Sequence, residues 1–253
     1  MSKKDKWIIG AMLVAISIVF NVFTASQINN YYNKQTSVYR LALKTTNKDK
    51  FNYIVDSQQG NVITYGKLTA TNPVRFQEMK PSKKFLAVKR TLEEYTMHTE
   101  TTTDSKGHTT TTTYWSWDDE KTDYKYAKQV ELFGRKYDLS KFNVNGYFNY
   151  VDADKITNGN NGYNGHYYYL DGDTRYEYKV IPITISGSFI AQATGGTLKP
   201  IKNKSYILLS QEKYKNYLKE RQNNNRFVAA FVVVMLSVIE LGSIYIFIFD
   251  EEN

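Results

Sequence analysis

Two apolar runs near the ends of a 253-residue chain constrain its folding more than any other feature. The first, Trp7 to Thr24 (WIIGAMLVAISIVFNVFT), carries no charge, and its one markedly polar side chain is Asn21. The second, Phe227 to Phe249 (FVAAFVVVMLSVIELGSIYIFIF), carries a single charge, Glu240. An α-helix rises about 1.5 Å per residue, so about 20 apolar residues cross the hydrocarbon layer of a bilayer. In water such runs would expose a large apolar surface. The sequence therefore predicts a membrane protein in which two transmembrane α-helices flank a β-rich (α+β) extramembrane domain. The boundaries read as a tail over 1–6, a helix over 7–26, the domain over 27–226, a helix over 227–249 and a tail over 250–253.

Lys3, Lys4 and Lys6 precede the first run. A secretory signal peptide has the same basic start, but its apolar stretch is shorter and a small-residue cleavage site follows it. Only Thr24-Ala25-Ser26 comes near such a site, which favours an uncleaved signal anchor. The lysines favour a cytoplasmic N-terminus. Two crossings then put both tails in the cytoplasm and the domain on the extracytoplasmic side of the cell membrane. The flanks of the second run argue for the reverse. Lys213, Lys215, Lys219, Arg221 and Arg226 precede it, and only acidic charges, Asp250, Glu251 and Glu252, follow. The first helix usually sets the orientation, and long domains translocate despite their charge.

Between the runs the chain is polar. With no cysteine, disulfides, thiolate metal sites and cysteine nucleophiles are excluded, and the domain rests on ordinary packing. The 22 tyrosines favour strands and half-buried faces with one wet edge. The net charge of +8 comes from a scattered lysine surplus with no arginine-rich stripe. That suits anionic lipid headgroups better than nucleic acid.

Residues 27–46 carry Ile28, Tyr31, Tyr32, Val38, Leu41 and Ala42 at helical spacing and read as a helix leaving the membrane. Phe51 to Val55 and Asn61 to Tyr65 read as a hairpin turned at Gln59-Gly60, and Asn72-Pro73 stops the second strand. Lys84 to Met97 alternates as a long strand. Over 96–113, threonines stand on both sides of Asp104-Ser105-Lys106-Gly107. Threonine is β-branched and the central residues favour a turn, so a protruding two-stranded hairpin is expected. Thr101, Thr102, Thr103, Lys106, Thr110 and Thr111 are its candidate partner-binding residues. A glycosylated arm, or a solvated hairpin with no partner, fits the same composition. Trp115 and Trp117 share a face by alternation and read as core. Further strands are expected over Gln129 to Phe133, Tyr176 to Thr184 and Gly187 to Ala193. Asp138-Leu139-Ser140 reads as a helix or turn start, 157–166 as a glycine-rich loop, and 211–224 as an amphipathic helix leading back to the membrane.

No catalytic motif emerges. His98, His108 and His166 lack partners at metal-ligand spacing, and HExxH, GxSxG, Walker A and GxGxxG patterns are missing. Asp152-Ala153-Asp154 and Asp171-Gly172-Asp173 resemble fragments of calcium loops without continuing into one, and turn-forming aspartates explain them. No cofactor or metal is implied. The costly residue is Glu240, since a carboxylate at the centre of a spanning helix costs about 2.5–3.5 kcal/mol to insert. Depth counted from the ends of the two runs puts Val14 to Ser17 level with it. A hydrogen bond to Ser17, or to Glu240 of a second copy, is therefore expected. An ion or proton path is the functional alternative.

Several short motifs follow one another in order. Thr64-Tyr65-Gly66-Lys67-Leu68 comes first, then Val88-Lys89-Arg90 with Glu94-Tyr95, then Phe133-Gly134-Arg135-Lys136-Tyr137-Asp138-Leu139-Ser140. Gly172-Asp173-Thr174-Arg175 follows, then Ser188-Phe189-Ile190-Ala191-Gln192-Ala193-Thr194-Gly195 with Leu198 and Pro200. From Gly60 onward this order resembles the LUMA family, the transmembrane protein 43 proteins. The Gln-Trp pair of that family does not follow Tyr95, and one apolar run follows the domain where family members look to have several. The resemblance implies a large non-cytoplasmic domain, self-association and a scaffolding role in membrane organisation. The lysine, asparagine and tyrosine bias suits a shortened bacterial or phage-like member.

These readings predict a non-enzymatic, membrane-anchored scaffold or envelope protein whose outer domain mediates self-association or protein or lipid binding. Membrane lipid, a second copy and an unidentified protein are its expected partners. The alternative is a small transporter or channel-like subunit that uses Glu240.

Overall fold

The computed structural model describes residues 3–159, 161–162, 165–201, 204–222 and 226–249. Along the chain run α1 (Lys3–Leu41), β1 (Leu43–Lys44), α2 (Lys48–Asp56), β2 (Gly60–Ala70), β3 (Ala87–Thr103) and β4 (Thr109–Tyr126). Short strands follow: β5 (Gln129–Leu132), β6 (Arg135–Asp138), β7 (Phe142–Asn143) and β8 (Asn149–Tyr150). Then come α3 (Ala153–Ile156), β9 (Tyr168–Tyr169), β10 (Thr174–Ile181), β11 (Thr184–Thr194), β12 (Thr197–Lys199) and β13 (Ile207–Leu208). The chain closes with α4 (Tyr214–Gln222) and α5 (Arg226–Phe249). It divides into two compact units, one built from the two chain ends and one from Leu43–Tyr214.

The end unit is helical. α1 is one unbroken helix, so the helical pattern of residues 27–41 continues the apolar run rather than opening the β-rich domain. Its stretch Lys4–Lys34 is long and apolar enough to cross a membrane. α5 has a shorter described apolar stretch, Ala230–Ile246. The two helices pack antiparallel. Trp7 meets Phe249 edge-on at 5.8 Å between ring centroids. At Gly10 a Cβ would lie 3.1 Å from Cγ1 of Ile248, so glycine permits the close approach. Away from this seam α1 exposes Met12, Ile16, Val19, Phe20 and Phe23, an apolar outer surface.

The second unit is β-rich, and after the short β1 it forms a helix, α2, where a strand was expected. Asn47 Oδ1 accepts the Lys50 N–H at 2.9 Å and caps α2. Phe51, Ile54 and Val55 then fall on one helical face and are all buried, while Tyr53 faces water. Gln58 (φ 54°) takes the left-handed conformation that ends the helix. Gln59-Gly60 therefore leads from helix into strand and turns no hairpin. The six-stranded sheet runs β12-β11-β2-β5-β6, with β1 alongside β2. β2 and β11 pair antiparallel from Thr69 opposite Thr184 to Gly60 opposite Ala193. α2 shares a core with this sheet, built on Phe51, Ile54, Leu68, Leu132, Phe189 and Leu198. Gly187 is required there, because a Cβ would lie 2.7 Å from the Ser210 carbonyl oxygen.

The five-stranded sheet runs β4-β3-β10-β8, with β9 on β10. A smaller core of Phe76, Met79, Val88, Ile156 and Tyr178 supports it. Arg90 is clamped between the Phe76 and Tyr176 rings, at 4.1 and 4.2 Å, and bridges Glu78 and Asp123 at 2.9 and 2.8 Å. The sheets join where Ala70 N–H donates to Ile183 O, Leu86 N–H to Ile181 O and Ala127 N–H to Leu86 O.

Candidate interaction site on the threonine-rich arm

β3 and β4 form one long antiparallel ribbon, paired from Ala87 opposite Tyr126 to Thr103 opposite Thr109. β10 flanks β3 only from Ala87 to Glu94. From Thr96 outward the ribbon has two strands among the described residues, and it ends in the expected turn. Asp104 Oδ1 accepts the N–H groups of His108 and Lys106 at 2.9 and 2.8 Å, and Gly107 (φ 84°) completes the reversal. The His108 N–H and its ring, then the remaining N–H groups, hold the Asp104 carboxyl below the usual carboxylate range. β-Branched threonine keeps the strands extended, and Thr101–Thr111 and Thr103–Thr109 hydroxyls meet across them at 3.3 and 3.4 Å.

Alternation gives the arm two unlike faces. One carries Tyr95, Met97, Thr99, Thr101 and Thr103 opposite Trp117, Trp115, Thr113, Thr111 and Thr109, with no charge at all. Tyr95 stacks on Trp115 and leans on Trp117, at 5.4 and 5.1 Å between centroids. The reading of Trp115 as core is corrected here, since the side chain is 55% exposed, and Met97 beside it is 58% exposed. The two tryptophans do share a face, but the ribbon has already left the domain where Trp115 occurs, and that side chain stays exposed among the described residues. Trp117, one step nearer the domain, is half-buried. The Arg175 guanidinium lies 3.9 Å over its ring and 3.5 Å over Tyr167, and Arg175 Nε donates to Glu93 at 2.6 Å.

The other face is polar. His98 pairs with Asp118 at 2.6 Å and stacks on Tyr114. The Thr96 hydroxyl bonds the same carboxylate and, with His98, holds Asp118 below the usual carboxylate range. The candidate residues are thus all on the arm but divided. Thr101, Thr103 and Thr111 lie on the uncharged face, Thr102 and Thr110 on the polar face, and Lys106 in the turn. Sequence reasoning missed Tyr95, Met97 and Arg175. Register counted outward from the turn would have set Tyr95 and Met97 opposite the tryptophans, whereas Arg175 arrives from a distant strand and left no local signal.

Two other features could serve a function. A groove of about 640 Å³ opens beside Tyr126, Leu139, Phe142, Asn145 and Tyr206. In the helical unit, Glu240 Oε2 accepts a hydrogen bond from Asn21 Nδ2 at 2.7 Å, in place of the expected Ser17 partner. Side chains on a helix lean toward its N-terminus. In an antiparallel pair Asn21 and Glu240 therefore lean toward each other and meet. The Asn21 amide also donates to Ser237 at 3.2 Å, while its buried oxygen has no hydrogen-bond partner among the described residues. Among the described residues no group of three or more metal-ligating acidic or histidine side chains is assembled. Comparison of the chain with protein-family models, curated protein sequences and solved structures found no match.

Proposed function

We propose that this chain is a non-enzymatic membrane scaffold. In this reading α1 and α5 cross the bilayer as an antiparallel pair, the β-rich unit stands on the extracytoplasmic side, and the arm is its binding surface. The observation that carries the reading is the arm itself. Tyr95, Met97 and Trp115 are solvent-exposed on a charge-free face, raised on a domain that lies between two apolar helices in sequence. An exposed aromatic patch of this kind is costly in water unless something covers it. The ordered resemblance to the LUMA proteins, which implies self-association, points the same way.

The cysteine-free chain makes the test clean. Single cysteines at Ser105 and Ser2 are exposed on intact cells to a membrane-impermeant thiol reagent. Labelling at Ser105, with Ser2 reacting only after permeabilisation, is expected, and the opposite pattern overturns the orientation. Replacing Thr99–Thr113 by an Asn-Gly turn should leave the chain in the membrane but strip it of co-purifying assemblies. Unchanged assemblies would remove the arm from the function.

One observation favours a second reading, a transporter or channel-like subunit. The Asn21–Glu240–Ser237 cluster places a carboxylate and an unpartnered amide oxygen between apolar helices. Glu240→Gln preserves shape and hydrogen bonding. Under the scaffold reading it leaves assembly intact, and loss of an ion flux in proteoliposomes would instead favour transport.

A further inference from the structure

An isolated two-stranded ribbon is marginally stable in water, yet this one runs from Thr96 to the turn with no third strand among the described residues. Its two edges also differ. Sheet proteins guard exposed edges with charges, bulges or prolines, because a bare edge pairs with other strands. β4 is guarded where it borders the domain, by Asp118, Asp119, Glu120, Lys121, Asp123 and Lys125 and by a register shift opposite Leu92 and Glu93. Past that point Thr109–Trp117 (TTTTTYWSW) carries no charge and no proline. The neighbouring stretch of β3 keeps His98 and Glu100. The unguarded edge is therefore the outer half of β4.

The backbone of that edge has a definite polarity. Asp104 N–H donates to His108 O inside the ribbon, and Tyr95 N–H donates outward to Asp173 O. Antiparallel pairing alternates these directions residue by residue. It follows that Thr109, Thr111, Thr113, Trp115 and Trp117 point their N–H and C=O groups away from β3. Their side chains lie on the uncharged face beside Tyr95 and Met97. Thr113 is the centre of the run, so the edge is self-complementary under a twofold rotation.

We infer that the outer half of β4 pairs antiparallel with the same segment of a second copy, about a twofold axis at Thr113. The inference rests on the scaffold reading and names the partner of its arm. Thr113 then faces Thr113 of the other copy, Thr111 faces its Trp115, and Thr109 faces its Trp117. Two marginal ribbons become one four-stranded sheet with a continuous uncharged face, and no like charges oppose each other across the new seam.

The test uses the full-length chain in native membranes and in mild detergent. Thr113→Cys should form a disulfide-linked dimer under gentle oxidation, because the opposed Cα atoms lie within disulfide reach. Thr111→Cys alone should not, but mixed with Trp115→Cys it should link. Thr113→Pro removes only an outward-pointing N–H and should reduce the dimer mass to monomer while the chain keeps the wild-type circular dichroism spectrum. Thr111→Lys combined with Thr113→Lys should do the same by charge repulsion. The inference is overturned by a dimer that survives both variants, by Thr111→Cys linking to itself, or by a wild-type chain that is monomeric at every concentration. A monomer that loses a co-purifying protein on Thr113→Pro would assign the edge to a foreign strand, and the scaffold reading would stand without the copy. Loss of neither dimer nor assemblies on replacing the whole arm would overturn both.

Discussion

The domain end and the free end of the β3–β4 ribbon share one hairpin and one register, but they are held by different forces. At the domain end Ala87 and Val88 are buried, and β10 lies alongside. Toward the turn, over Thr99–Thr103 and Thr109–Trp115, both strands are exposed, and order rests on local terms: β-branched side chains, cross-strand threonine pairs and a capped turn. The contrast teaches that strand formation and burial are separable, and that they part company between Trp117 and Trp115, where the aromatic side chains become exposed.

The contrast can be pressed from its heaviest side. Phe189→Ala, in the larger core, should cost about 3–5 kcal/mol by creating a cavity. Chemical denaturation of the detergent-solubilised chain reads this directly, and a loss under 1 kcal/mol would show that the six-stranded sheet is not the stabilising core. Trp117→Ala lies at the transition. It removes ring stacking and the Arg175 contact, worth about 1–3 kcal/mol together. Trp115→Ala should shift stability by no more than about 0.5 kcal/mol, as surface substitutions do. Equal costs for the two tryptophans would erase the boundary proposed between them.

Acid sharpens the same boundary with the smallest effect. Thr96 and His98 hold the Asp118 carboxyl below its unfolded value. A depressed carboxylate contributes stability that is fully present above the unfolded value and is lost as pH falls through the folded one. Tryptophan fluorescence from the arm should therefore separate wild type from Asp118→Asn at neutral pH. The difference should close as pH drops below about 4. A difference that persists unchanged at pH 2 would show that the Thr96–His98–Asp118 contact does not hold the arm.

Much of this architecture is legible in the chain. The long apolar helix, the turn at Asp104 to Gly107, the paired threonine strands and the common face of the tryptophans all follow from local periodicity and turn chemistry. The misreadings share a cause. Phe51 to Val55 suits a strand or a helix by composition, and the Asn47 cap together with burial of Phe51, Ile54 and Val55 chose the helix. Ser17 and Asn21 both lie within reach of the level of Glu240, and the lean of the side chains in an antiparallel pair chose Asn21.

By itself, then, the sequence determined the long apolar helix, the Asp104 to Gly107 reversal and the threonine strands on either side of it, because those choices depend on neighbours within a few residues. Only the tertiary structure decided which faces are covered. Burial of Trp117 depends on Arg175 and Tyr167 arriving from elsewhere in the chain, and exposure of Trp115 on β10 ending its pairing at Glu94. Those are contacts between segments about 50 to 80 residues apart in sequence, and no local pattern encodes where a neighbouring strand stops.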